Sequence, residues 1–75
     1  MAKFPTLNRI NLNTVSEGEI LNAFPYVGEA RTKSIIEYRE NNGGFNSIDE
    51  LKNVHGIADG IFERLLDDSR FEITL

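Results

Sequence analysis

Two short stretches have residue types and spacing suited to holding an anion. Tyr26-Val27-Gly28 and Gly56-Ile57-Ala58 each centre on a β-branched apolar residue with a glycine on one side, and an acid follows each, Glu29 or Asp59. Each triplet reads as the tight turn of a helical hairpin. The amides of such a turn, with the start of the next helix, form an electropositive corner without any charged side chain. Arg31 and Lys33 follow the first turn, and His55 and Gly60 flank the second. Other chemistry lacks its parts. There is no cysteine and His55 is the only histidine, which removes thiolate and histidine-cluster metal sites. No nucleophile stands with a base, so the chain does not read as an enzyme. Asp67 and Asp68 are helical neighbours roughly 100° apart and share no site.

Both turns need helices on either side, and the sequence supplies them twice. Leu21 to Arg31 is echoed by Leu51 to Ile61. Ser16-Glu17-Gly18-Glu19 has the spacing of a capping box and opens a helix to about Ala23, weakened by Gly18 and ended by Pro25. A second helix is expected from Gly28 or Glu29 to Glu40, with Val27, Ala30, Ser34 or Ile35, and Tyr38 along its apolar stripe and Ile36 beside it. Asn41-Asn42-Gly43-Gly44 stops it. Phe45 anchors the connector, and Ser47-Ile48-Asp49-Glu50 repeats the capping box ahead of Leu51 and Val54. A closing helix from Gly60 to about Asp68 is expected to bury Ile61, Phe62, Leu65 and Leu66. The apolar alternations Ile10/Leu12 and Phe71/Ile73 read as extended packing segments, with no convincing strand pair. Residues 1–8 read as a flexible lead and 9–75 as one all-α, pseudo-two-fold domain of four to five short helices. Ser16 and Ser47 are 31 residues apart but Val27 and Ile57 only 30, so the two hairpins cannot share one geometry.

Seventy-five residues support one modest core. Eight basic against twelve acidic residues give a net charge of −4, which removes long-range attraction to nucleic acid and leaves any such contact to local geometry. Apolar runs of at most two residues contain no membrane span and no leader, so the chain is expected to lie in the cytoplasm and make no membrane contact. It would be exported or tethered if it is one piece of a longer protein.

Ile10-Asn11-Leu12-Asn13-Thr14, Ile35-Ile36-Glu37-Tyr38-Arg39-Glu40-Asn41, Gly44-Phe45-Asn46-Ser47-Ile48-Asp49-Glu50-Leu51 and Val54-His55-Gly56-Ile57 together resemble the tandem helix-hairpin-helix domain of competence DNA receptors, the ComEA-like group. The match covers nearly all of the chain from Ile10 onward. The resemblance implies hairpins of the form glycine, apolar, glycine whose backbone N–H groups hold phosphates of duplex DNA without sequence preference. On this sequence the implied phosphate-binding residues are Tyr26, Val27, Gly28, Arg31, Lys33, His55, Gly56, Ile57, Ala58 and Gly60. No cofactor is implied beyond a monovalent cation, which some such hairpins hold on their carbonyls. Tyr26 and Ala58 stand where the pattern has glycine, and a tyrosine at a position of positive φ would be strained by about 1 kcal/mol or more. Glu29 and Asp59 compete with a phosphate for the same positive corners. These departures suit an alternative, a protein-protein interaction domain on the same scaffold that has lost DNA binding, its protein partner unidentified.

Overall fold

The computed structural model describes residues 8–75, so all but the last residue of the expected lead lies outside the described residues. Asn8 is not lead but the first residue of strand β1 (Asn8–Asn11), which is followed by α1 (Glu17–Ala23), a 3₁₀ helix Pro25–Val27, α2 (Gly28–Asn42), a second 3₁₀ helix Ile48–Asn53, α3 (Asp59–Asp67) and strand β2 (Phe71–Thr74). Both capping signals are used. The Ser16 hydroxyl accepts from the Glu19 N–H at 3.1 Å, and the Glu19 carboxylate accepts from the Ser16 N–H at 2.9 Å. In the second copy the Glu50 carboxylate accepts from the Asn46 and Ser47 N–H groups and, at 3.0 Å, from the Tyr38 hydroxyl of α2.

The one-residue difference between the copies has a structural answer. The first copy reaches its turn through an α-helix and the second through a 3₁₀ helix. A 3₁₀ helix turns in three residues rather than 3.6 and rises further per residue, so the second copy covers its path with one residue fewer.

The chain ends correct the sequence expectation. β1 and β2 pair in parallel, Asn8 opposite Phe71 and Ile10 opposite Ile73, and the Leu12 N–H extends the ladder to the Thr74 carbonyl at 2.9 Å. The helical domain is thus tied shut by a two-stranded sheet that no local turn could announce. Two side chains also depart from the expected stripes. Ala30 is exposed while Thr32 is fully buried, its hydroxyl donating to the Gly28 carbonyl at 2.7 Å. Leu66 is 48% exposed, because Phe62 and Leu65 already occupy the inward face of α3.

Arginines fasten the frame to backbone carbonyls. Arg39 Nη1 donates to the carbonyls of Leu12 and Val15, holding the strand-to-α1 turn, and Arg70 Nη2 donates to the Ala23 carbonyl at the end of α1. The Arg70 guanidinium also holds the Asp68 carboxyl below its ordinary range, as the Ser16 backbone and side chain do for Glu19. Both carboxyls therefore take up protons later in the native state than in the unfolded chain. Their contribution is complete above the ordinary carboxylate range and is lost as pH falls through the lowered native values. Acid unfolding followed by circular dichroism should show this loss, and Glu19→Gln should flatten it.

Candidate nucleic-acid interface

The first turn begins at Phe24, whose aromatic ring is buried, and Pro25 starts the 3₁₀ helix at the position where its missing N–H costs least. Val27 then inserts into the core with no exposed surface. Gly28 has φ +81 and ψ 165, a combination open in practice to glycine alone, so helical conformation in α2 begins at Glu29. In the second turn the Ile57 side chain is buried and Gly56 carries the positive φ, +90. Each hairpin has therefore kept the one glycine that its own path requires.

This removes the expected strain. No residue other than glycine has a positive φ among the described residues, and Ala58 sits at φ −91 in extended backbone. Restoring the pattern with Ala58→Gly should lower stability by about 0.5–1 kcal/mol, through added freedom of the unfolded chain. Thermal melts of the two proteins check this.

Arg31 joins the two turns. Its Nε donates to the Gly56 carbonyl at 2.8 Å and its Nη1 to the Val27 carbonyl at 3.4 Å, so one guanidinium spans both hairpins. A β-carbon on Gly56 would lie 3.3 Å from Arg31 Cγ, which shows how closely the side chain crosses the second turn. A monovalent cation does not fit here at the carbonyls of Val27 and Gly56. Both already accept from a group that carries a positive charge.

The other expected site residues divide between the turn surface and the frame. His55, Gly60 and Lys33 are exposed, as are Glu29 and Asp59 in the first turns of α2 and α3. Tyr26 turns inward. Its ring packs edge-on against Phe24, the Arg64 guanidinium lies 4.0 Å from the ring centroid, and its hydroxyl is buried without a partner among the described residues. Burial, and then the Asp68 charge, push this phenol above its ordinary range. Tyr26 is thus a packing residue that ties the first hairpin to α3. The sequence reading missed Thr32, whose spacing of four from Gly28 was the available signal, since a helical threonine returns its hydroxyl to the carbonyl four residues back.

Two related helical hairpins, each pinned by a buried aliphatic residue and bent at one required glycine, define a tandem helix-hairpin-helix domain. The chain belongs to the helix-hairpin-helix motif family, whose model matches residues 6–69. It is 38% identical to ComE operon protein 1 of Bacillus subtilis over 56 residues, 75% of this chain and 27% of that protein. It is also 38% identical to the endonuclease/exonuclease/phosphatase family domain-containing protein 1 of Homo sapiens over 65 residues, 87% of this chain and 10% of that protein. A Haemophilus influenzae protein is 30% identical over 60 residues, 80% of this chain and 54% of that protein. The chain therefore spans from about a tenth to about half of these relatives' lengths. No solved structure matches it.

Proposed function

We propose that this chain is a non-catalytic module that binds duplex DNA without sequence preference, gripping phosphates with the backbone amides of its two hairpins. The observation that carries the reading is the pair of turns bridged by Arg31, each leading directly into a helix start. The Gly28 N–H at the start of α2 donates to the Pro25 carbonyl of the preceding 3₁₀ helix, whereas α3 follows the extended Ala58 with no helix directly before it, and helix N-termini favour anions. Lys33 and His55 would add contacts from the exposed side, with Gly28, Gly56, Ala58 and Gly60 supplying close backbone approach. Such contacts grip the polymer but read no bases.

Fluorescence anisotropy with a labelled duplex tests this. Binding should weaken with salt along a log–log slope of roughly −2 to −4, as for a few phosphate contacts, and Lys33→Ala should reduce that slope by about 1. An absence of binding at about 50 mM salt with tens of micromolar protein would overturn the reading, because non-specific DNA binders reach that range.

A second reading, a protein-docking domain, is favoured by the exposed Glu29 and Asp59 at the two helix starts and by the net charge of −4. Charge reversal at these two acids separates the readings. It should tighten DNA binding if the corners hold phosphate, and should abolish capture of a protein partner if they hold a basic surface.

A further inference from the structure

We infer that Arg31 is a positioning residue that locks the two hairpins into one two-pronged unit, and not itself the phosphate contact its charge suggests; the functional part of this inference rests on the DNA-binding reading above. The two carbonyls it holds, those of Val27 and Gly56, are 29 residues apart in the chain and belong to different turns, and no other hydrogen bond joins the turns among the described residues. A guanidinium suits this task because its donors form a rigid planar fork that holds two acceptors at a set separation. With Nε and Nη1 engaged, the side chain lies back across Gly56, close enough that a β-carbon there would press on Arg31 Cγ.

The consequence for binding is one of valency. Two turns held at fixed spacing can engage one duplex together, so the second contact forms at high effective concentration and with little further ordering cost. Two turns free to shift would each bind weakly and lose that advantage.

A lysine at this position keeps the charge but cannot reproduce the fork, since its ammonium is a single point on a flexible stem. Arg31→Lys and Arg31→Ala should therefore behave alike. Both should keep the helical circular dichroism of the parent, and both should speed amide hydrogen exchange over Gly56 to Gly60 in the absence of any ligand. Both should weaken binding of a labelled duplex by a similar factor, on the order of tenfold. Lys33→Ala, by contrast, should leave exchange at the second turn unchanged. Wild-type affinity in Arg31→Lys together with a loss in Arg31→Ala would make Arg31 a direct charge contact and overturn the inference. Unchanged exchange at Gly56 to Gly60 in both variants would overturn it equally. If the parent protein binds no duplex, the DNA-binding reading fails by itself, and the exchange measurement alone decides whether Arg31 is the clamp.

Discussion

Leu51→Ala should cost about 2–5 kcal/mol, the range for truncating a buried leucine in a core that cannot close over the gap. Leu51 has no exposed surface, yet it sits in a 3₁₀ helix of six residues whose own hydrogen bonds are poor. Its side chain, with the Tyr38–Glu50 hydrogen bond, holds that segment down. It also lines a small apolar void of about 10 Å³ with Ile10, Leu12, Ile20, Phe24, Ile35, Leu65 and Ile73, contributed by both strands, all three α-helices and the connections between them. Removing three carbons would enlarge a cavity whose walls are fixed from every side, so little relaxation is available. For a chain of this length the whole folding free energy is about 4–11 kcal/mol, so the variant should lose a large fraction of its stability. Denaturant titration at 25 °C measures the loss directly. Leu66→Ala, at the half-exposed position on α3, is the control and should change stability by about 0.5 kcal/mol or less.

The features legible from sequence were those with short-range causes. The Ser16–Glu19 and Ser47–Glu50 spacings, the stop at Gly43 and the aliphatic pins Val27 and Ile57 each act within a few residues, and each forms as its pattern implies. What escaped was long-range or relative. The strand alternations at Ile10 and Ile73 are visible, but their parallel pairing joins positions 63 residues apart with no turn between them to mark it. Leu66 belongs to an apolar pair with Leu65, and only the phase of α3 against the core decides which of the two is buried.

The candidate site shows the same division more sharply. The two turns were located by their glycines, but a glycine-apolar-glycine pattern does not say which glycine carries the positive φ. The structure places it last in the first turn and first in the second, and this is why neither Tyr26 nor Ala58 is strained. Arg31 read as a free cation beside the turn because its partners are backbone carbonyls, which have no signature in a sequence. Arg39 and Arg70 are likewise committed to backbone, at the carbonyls of Leu12, Val15 and Ala23. Basic residues counted toward a ligand were in part already committed to the fold.

Alanine at the two required glycines should then give similar losses for different reasons. At Gly28 a β-carbon would meet nothing within 4 Å, so the cost of Gly28→Ala is purely that of φ +81 with ψ 165, about 1–3 kcal/mol. At Gly56 the backbone cost at φ +90 is joined by the 3.3 Å approach to Arg31 Cγ, the side chain that donates to the same residue's carbonyl. Gly56→Ala must therefore either strain that turn or push the guanidinium off it. A double-mutant cycle separates the two contributions. In an Arg31→Ala background the contact is already gone, so Gly56→Ala should cost less than in the parent, with a coupling of about 0.5 kcal/mol or more. Gly28→Ala should cost the same in both backgrounds, since its penalty is set by its own backbone. Denaturation midpoints of the three single variants, the two double variants and the parent supply every term. Equal cost for Gly56→Ala with and without Arg31 would mean that the side chain moves aside freely, and that the second turn is held by Ile57 and the backbone alone.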